Sequence, residues 1–194
     1  MNIVDCGEGV VLRGFAGKDA QALFDLVQSN REHLGRWISW ADSIDSVESA
    51  HAFILESADL RASAEAYTHG IWFRGHIAGV LVIGSIDAIN RRAALSYWLG
   101  QEFVGGGIMT RACAAALRQA FVDCALNRLE ISVAEDNVKS LAVPIRLGFR
   151  REGALREVEW RDVRFVDHVI FGLLAREWLT IQETHLGSKV PDNG

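Results

Sequence analysis

Three consecutive glycines, Gly105 to Gly107, separate a β-rich run from the clearest helical pattern in the sequence. Beyond them, apolar residues recur at steps of three and four, which predicts one continuous apolar helix face. These residues are Met109, Ala112, Cys113, Ala116, Leu117, Ala120, Phe121 and Cys124. A strand that passes through a glycine loop into an amphipathic helix indicates a mixed α/β chain.

The segment around these glycines has the properties of a phosphate-binding loop. Glycines let backbone N–H groups approach a ligand, and a helix N-terminus adds unpaired donors and about half a positive charge. No Lys-Ser or Lys-Thr pair follows, which excludes a P-loop, and the spacing does not fit a dinucleotide fingerprint. We therefore predict a diphosphate-bearing cofactor, with a flexible connection as the structural alternative. The residues assigned to this site are Gly105, Gly106, Gly107, Ile108, Met109 and Thr110.

The other patterns alternate between β-type and helical periodicity, without internal repeats or Pro- or Ser-rich linkers. The predicted order is a strand at 10–14, a helix at 16–30, a helix beginning with a capping box of Asp45 and Glu48 and ending near Ala66, strands at 67–74, 77–86 and 93–99, the long helix, a strand at 129–133, a helix at 138–147, and a hairpin of 149–160 with 165–175. For 194 residues this predicts one domain, 1–194, with a core at about 10–178 and a polar tail at 179–194.

Composition excludes several classes of function. The net charge of −5 and the lack of clustered Lys and Arg argue against a nucleic-acid partner. Cys6, Cys113 and Cys124 are odd in number and unrelated in spacing, so neither disulfides nor a metal site is expected, and a reducing cytoplasm is the expected location. No run approaches the roughly 18 apolar residues of a membrane span, so no membrane partner is expected.

Five segments together resemble the RimJ/RimL branch of the GNAT N-acetyltransferases, from about residue 10 to residue 178. They are LSYWLG at 95–100, FVGGGIMTRA at 103–112, NRLEISVAEDNVKS at 127–140, IRLGFRREGALRE at 145–157 and FVDHVIFGLL at 165–174. The resemblance implies a mixed α+β fold: a mostly antiparallel twisted sheet of about six to seven strands, flanked by helices, with splayed central strands. It also implies acetyl-CoA as the cofactor.

In this family the loop grips the acetyl-CoA pyrophosphate through a Gln/Arg-x-x-Gly-x-Gly/Ala motif. Gly107 matches the first fixed glycine, Val104 replaces Gln/Arg and Met109 occupies the last position. Gly106 stands where relatives often carry Lys or Arg, which predicts weaker charge assistance. The family's pantetheine arm lies between the splayed strands 95–99 and 129–133, which assigns Leu99 to the cofactor site.

Asn137 and Ser140 match the Asn-x-x-Ser of the family, which implies that they line the thioester end of the cofactor. A hydroxyl near the sulfur can protonate the departing thiolate, so Ser140 is the candidate general acid. The structural alternative is that Asn137 caps a helix and Ser140 faces solvent. Pro144 cannot donate to the carbonyl of Ser140 four residues earlier, which predicts an irregular backbone there.

An ammonium group must lose a proton before it attacks a thioester, so a base or a water relay is required. Strand alternation puts Glu157 and Glu159 on one face, and the resemblance implies that Glu159, the second acid of its segment, is the base. His168, which follows Asp167, is the reserve candidate. A solvated surface for the acids and a structural role for the histidine are the alternatives.

Trp37 and Trp40 fall in a segment that resembles the acceptor-side region of the family, where aromatic rings wall a groove. Packing in the core is the alternative for both. The resemblance implies an amine acceptor, either a ribosomal-protein N-terminus or a small amine, and a homodimer for which the edge of the closing hairpin is a candidate interface. A non-catalytic acyl-CoA-binding sensor or interaction module is the alternative function.

Overall fold

The computed structural model describes residues 3–38, 43–161 and 163–187. Within these ranges one sheet has the strand order β1-β2-β3-β4-β5-β6-β8-β7. Its strands are β1 Val4–Asp5, β2 Val10–Arg13, β3 Tyr67–Phe73, β4 His76–Asp87, β5 Arg92–Leu99, β6 Arg128–Ala134, β7 Arg150–Arg161 and β8 Arg164–Leu174. Among the strands of the described ranges, only β5 and β6 pair in parallel. The predicted mixed, mostly antiparallel sheet is confirmed, with eight strands rather than six or seven because the two-residue β1 extends one edge.

The helices cover both faces of the sheet. They are α1 Ala20–Ser29, α2 Arg31–Gly35, α3 Val47–Ala62, α4 Ile108–Arg118, α5 Val138–Arg146 and α6 Ala175–Gly187. On one side, which we call the α4 face, α4, α5 and α6 pack on residues such as Leu81 and Leu129. On the other, the α1 face, α1, α2 and α3 pack on Val80 and Trp98. Burial of apolar side chains from both layers drives this arrangement.

The glycine loop leads into the predicted long helix, but the helix does not remain regular. It is α-helical over Ile108–Arg118 and continues as a π-helical turn over Gln119–Asp123. The wider turn accommodates an extra residue, and both Ala120 and Phe121 stay buried through it.

The start of α3 differs by one residue from the prediction. Ser46, not Asp45, is the N-cap, and its Oγ accepts from the Ser49 N–H at 3.1 Å while Ser49 Oγ accepts from the Ser46 N–H at 3.0 Å. The predicted Asp45 and Glu48 pairing is therefore wrong: two serine hydroxyls form the reciprocal cap.

The segment predicted as a polar tail from residue 179 is helical to Gly187 in α6. Trp178 anchors this helix, because its side chain is buried and its ring centroid lies 5.6 Å from that of Phe121. Within the described ranges, none of the helices combines the length and the apolar character that crossing a membrane requires.

The central strands part as predicted. β5 and β6 pair only through Arg92–Ala94 and Arg128–Glu130. Beyond these residues the two strands diverge, so Leu95–Leu99 and the end of β6 turn unpaired main-chain edges toward one another. We call this opening the wedge. Unpaired N–H and C=O groups along a strand edge are ready to pair with an extended ligand.

Candidate active site

The glycine loop adopts a conformation that other residues rarely adopt. Gly105 has φ +96° and Gly107, the N-cap of α4, has φ +73°. Left-handed backbone at both positions costs an L-residue about 1–2 kcal/mol, which explains the glycines. The loop is tied to α1 by Asn30, whose Oδ1 accepts from the Gln101 N–H at 2.7 Å. The two left-handed glycines and the bond from Gln101 to Asn30 thus define the path of the main chain into α4.

The loop carries donors and positive charge for an anion. The Arg111 N–H donates to the Gly107 carbonyl at 3.1 Å, so the N–H groups of Ile108, Met109 and Thr110 have no acceptor one turn earlier. A cavity of about 480 Å³ adjoins this helix end, lined by Glu8, Gly9, Val10, Phe73, Arg74, Gly106 and Arg111. Two guanidinium groups and a helix N-terminus fit the diphosphate predicted from the glycines.

The two arginines that line this cavity were not singled out by sequence reasoning. Arg74 lies in the turn between β3 and β4, and Arg111 lies in the first turn of α4, where it pairs with Glu8 at 2.7 Å. The sequence signal for Arg111 was its position one turn after the glycines. Arg74 had no such signal, because only tertiary structure brings its turn to the loop.

Several predicted cofactor residues use their side chains for packing. Leu99, Ile108 and Met109 are each at most 8% exposed and belong to the core under α4. Only their main-chain groups are available to a ligand. Thr110 is half-buried, and Gly106 lines the cavity.

At the start of α5, Asn137 and Ser140 are brought together. Asn137 is the N-cap of α5, and its Oδ1 accepts from the Ser140 N–H at 3.2 Å. This contact is the capping role that sequence reasoning kept as the alternative for Asn137. The Ser140 hydroxyl makes no hydrogen bond within the described part of the chain and remains available.

Tyr97 resolves the problem created by Pro144. Because Pro144 has no N–H, the Ser140 carbonyl lacks its helical donor, and the Tyr97 hydroxyl donates to it instead at 3.2 Å. This bond crosses the wedge from β5 to α5. Burial strongly raises the pKa of Tyr97, so the phenol stays protonated and remains a donor.

Glu159 and His168, the two candidate bases, are hydrogen-bonded to one another. His168 Nε2 lies 2.7 Å from Glu159 Oε2, and His168 Nδ1 lies 2.8 Å from Ser132 Oγ. Arg161 Nη2 donates to the same Glu159 oxygen at 2.6 Å. Arg161 also pairs with Asp136 at 3.4 Å, and its side chain is only 11% exposed. Arg161, Ser132 and Asp136 were not predicted from the sequence.

The structure separates Glu157 from Glu159. β7 is irregular between Leu155 and Glu159, Glu157 has φ +53°, and its N–H donates to Asp167 Oδ1 at 2.8 Å. Simple alternation therefore does not describe this stretch. Glu157 is exposed, whereas Glu159 is half-buried among its partners.

Glu159 is held in its charged form. Burial raises the pKa of Glu159, but hydrogen bonds from Arg161 and His168 outweigh burial, and the pKa is lowered overall. A carboxylate that stays ionised and accepts two hydrogen bonds orients its partners firmly.

On the acceptor side, Trp37 is half-buried and the Arg161 guanidinium lies 5.5 Å from the centre of its ring. Trp37 thus joins the cluster around Glu159, whereas Trp40 lies outside the described residues. His33 in α2, also missed, lies close to the main chain of Leu99 and to Lys139; burial lowers its pKa, and Lys139 and Arg36 lower it further. Within the described ranges, no three His, Cys, Asp or Glu side chains are grouped as metal ligands.

The two groups of residues lie on opposite faces of the sheet. Leu129, Ile131 and Val133 face the core under α4, so alternation along β6 turns Ser132 to the α1 face. His168 pairs across β6 and β8 with Ala134 and therefore shares that face. The loop and Tyr97 lie on the α4 face, where the Tyr97 hydroxyl bonds the main chain of Ser140. The wedge is the opening between the two groups.

Comparison with known proteins agrees with this geometry. Residues 10–150 match the family described as acetyltransferase (GNAT) domain. The chain is 35% identical to a putative ribosomal N-acetyltransferase, YdaF, of Bacillus subtilis over 176 residues, which cover 88% of this chain and 94% of the relative.

Two solved structures are also similar. RimL, a ribosomal L7/L12 alpha-N-protein acetyltransferase in complex with coenzyme A, has a TM-score of 0.86 at 26% identity, covering 89% of this chain and 98% of that one. Microcin C7 self-immunity acetyltransferase MccE, in complex with acetyl-CoA and AMP, has a TM-score of 0.82 at 29% identity, covering 87% and 94%.

Proposed function

Because the chain belongs to the GNAT acetyltransferase family and is an N-acetyltransferase, we propose that it moves the acetyl group of acetyl-CoA directly to a primary amine. The observation that carries the proposal is the position of the wedge, which opens between the phosphate-type loop on the α4 face and the Glu159–His168 pair on the α1 face. A donor and an acceptor can thus meet from opposite sides of the sheet.

Acetyl-CoA supplies the acetyl group as an activated thioester. The loop from Gly105 to Thr110, with Arg74 and Arg111, holds the diphosphate, and the free edge of β5 up to Leu99 pairs with the extended arm. The fit is supported by the left-handed glycines, the unpaired N–H groups and the two guanidinium groups beside the cavity. Ile108 and Met109 contribute main-chain donors only.

Ser140 is the general acid in this proposal, because its free hydroxyl stands at the start of α5 beside the wedge, and Asn137 holds that turn in place. The proton of the acceptor ammonium goes to the Glu159–His168 pair. Direct transfer is supported by the cysteines, since burial raises the pKa of both Cys113 and Cys124 and makes them poor nucleophiles.

The acceptor in this proposal is the N-terminal amino group of a protein, a ribosomal protein included, or a small amine. By their names, RimL acts on a ribosomal protein and the spermidine N(1)-acetyltransferase of Escherichia coli, another relative, acts on a small amine, so relatives differ in acceptor. Trp37 forms one wall of the acceptor groove. The net charge of −5 favours a cationic acceptor over nucleic acid.

We also propose a cytoplasmic homodimer. The three free cysteines suit a reducing compartment. β7 is an edge strand, and its hairpin with β8 exposes large apolar side chains, namely Leu155, Val158, Trp160, Val163 and Phe165. Such an edge is normally covered or blocked.

A thiol-release assay tests the proposal, with acetyl-CoA and a panel of peptide N-termini and small amines. We expect turnover by the wild type and a large loss in Ser140→Ala and Glu159→Gln, both of which still bind acetyl-CoA. Tight acetyl-CoA binding without turnover on any amine would favour a non-catalytic sensor. The absence of acetyl-CoA binding would refute the proposed function.

A further inference from the structure

One hydrogen-bonded chain crosses three strands on the α1 face. It begins at Ser132 on β6, passes through both ring nitrogens of His168 on β8 and ends at Glu159 on β7. Its two contacts measure 2.8 Å and 2.7 Å between heavy atoms, which is within the range for proton transfer along hydrogen bonds.

The three side chains of this hydrogen-bonded series follow the order of their strands from the wedge outward. β6 borders the wedge, β8 is next and β7 is the outer edge of the sheet. Ser132 is exposed and stands two residues beyond Glu130, the last residue of β6 that pairs with β5. Neighbouring strands are about 4.8 Å apart, so β7 runs roughly 10 Å from β6. Ser132 is therefore the member of the chain that lies at the wedge.

The outer end of the chain is electrostatically fixed. Glu159 accepts from Arg161 and His168 through the same oxygen, and Arg161 is held in turn by Asp136. An ionised carboxylate only accepts hydrogen bonds, so His168 Nε2 carries the proton it donates to Glu159. His168 Nδ1 is then unprotonated and accepts from the Ser132 hydroxyl. The imidazole thus offers its basic nitrogen toward the wedge.

We propose that Ser132 and His168 relay the proton of the acceptor ammonium away from the wedge, while Glu159 and Arg161 act as positioning residues; the inference rests on the proposed function. As the amine loses its proton to Ser132 Oγ, the Ser132 proton moves to His168 Nδ1. The charge formerly on the amine then resides on the imidazolium. The Glu159 carboxylate stabilises that imidazolium without itself taking a proton.

The charged groups that surround His168 are compatible with this role. From β7 it meets the Glu159 carboxylate, behind which stands the Arg161 guanidinium. Asp136, in the loop after β6, balances Arg161 and Arg164 at 3.4 Å and 2.8 Å. Asp167, the neighbour of His168 on β8, is engaged by the main chain of Glu157. From β6 the ring meets the neutral Ser132 hydroxyl.

The test is the dependence of kcat/KM on pH, from about pH 6 to about pH 10, for transfer to an alkyl amine whose ammonium has a pKa near 10. The variants are His168→Gln, which keeps polar contacts but cannot accept the proton, and Ser132→Ala, a small change at an exposed site. Ser140→Ala is the matched control. Acetyl-CoA binding and thermal unfolding show that each variant is folded.

For His168→Gln we expect a loss of about 10²- to 10⁴-fold at neutral pH, which is the usual contribution of a general base. The loss shrinks as pH rises, because the amine deprotonates in solution. Ser132→Ala shows the same pattern with a smaller loss, since water can bridge the gap. Ser140→Ala loses activity by a factor that stays the same across the pH range, because it does not depend on whether the amine is protonated. An alkoxyamine, unprotonated at neutral pH, rescues His168→Gln but not Ser140→Ala.

Unchanged pH profiles for both His168→Gln and Ser132→Ala overturn the relay. So does a profile in which Glu159→Gln alone shows the loss that shrinks with pH, because Glu159 then takes the proton directly. Failure of the wild type to acetylate any amine is a different result: it overturns the proposed function and not merely the route of the proton.

Discussion

At the scale of single residues, His69 is the least expected side chain in the core. It is 3% exposed on β3, opposite Leu81, and neither ring nitrogen has a hydrogen-bond partner among the described residues. Burial, together with the smaller effect of the nearby Arg61 charge, lowers its pKa to about 4. The Gln119 side chain opposes this shift but does not lie in hydrogen-bonding geometry. The ring is therefore a neutral core residue.

This burial predicts a loss of stability on mild acidification. The ordinary histidine pKa of 6.5 lies above the folded value of about 4, so the unfolded chain takes up a proton in that range and the folded chain does not. The contribution of neutral His69 to the free energy of unfolding is fully present above pH 6.5. It is lost as the pH falls toward 4, by about 3 kcal/mol in total.

Urea unfolding at pH 7 and pH 5 measures the effect. Over this interval we expect the wild type to lose about 2 kcal/mol more than His69→Leu, which cannot titrate. His76→Gln, at the exposed first residue of β4, is the matched control and should follow the wild type. Equal pH dependence in all three proteins would contradict the prediction.

At the scale of elements, one hydrogen bond, from the Tyr97 hydroxyl to the Ser140 carbonyl, connects β5 to α5 across the wedge. Pro144 frees the Ser140 carbonyl, and the Tyr97 hydroxyl on β5 takes the place of the missing helical donor. The position of the candidate general acid thus depends on a residue of another element. An irregular turn of this kind was expected from Pro144, but not the residue that compensates for it.

We predict that Tyr97→Phe lowers kcat by up to about tenfold, because one net hydrogen bond contributes roughly 0.5–1.5 kcal/mol and each 1.4 kcal/mol changes a rate tenfold. Acetyl-CoA affinity should change little. The control is Tyr67→Phe, which alters the other tyrosine, on β3. Steady-state kinetics for both variants check this, and a kcat equal to that of the wild type would show that Tyr97 does not position Ser140.

The loop that precedes α4 has no charged side chain at Gly106, where the family resemblance led us to expect Lys or Arg. Gly106 does not adopt positive φ, and a Cβ built there meets only Ile108, at 3.9 Å or more. A side chain therefore fits at this position, and it would extend beside the cavity that holds Arg74 and Arg111.

Accordingly, Gly106→Lys should tighten acetyl-CoA binding by up to about tenfold, since a charge-assisted hydrogen bond contributes about 1.5 kcal/mol or more. Gly106→Gln is the neutral control and should bind like the wild type. Calorimetric titration at low and high salt measures both, and the gain should diminish with salt. A dissociation constant unchanged by the lysine would argue that main-chain donors alone suffice.

At the scale of the whole molecule, the sheet is covered on both faces but not at its β7 edge. The hairpin of β7 and β8 exposes Val163 at 86% and Phe165 at 55%. We predict that the protein sediments with twice the mass of one chain, and that Val163→Lys with Phe165→Lys returns it to one. The control is Ile89→Lys, which changes a 94% exposed apolar residue in the turn between β4 and β5, outside this hairpin. A wild-type monomer at micromolar concentration would contradict the homodimer.

The local order of the chain followed from the sequence alone. Gly105 to Gly107 predicted the loop because glycine is the residue that readily adopts positive φ. The sequence also predicted α4, because apolar residues recur there at the spacing of one helix face. The splay of β5 and β6 and the residues Ser140 and Glu159 came from the family resemblance, whereas His168 was singled out by its position after Asp167 on the last strand. Trp37 was placed at an acceptor groove in the same way.

Contacts between distant elements were decided only by the tertiary structure. The bond from Tyr97 to Ser140, the guanidinium of Arg161 against Trp37, and the approach of Arg74 to the loop all join elements far apart in sequence. Sequence periodicity cannot predict such pairs, because it shows which residues share one face of a strand or helix but not which other element packs against that face. The choice between Glu157 and Glu159 likewise depended on an irregularity in β7 that alternation cannot anticipate.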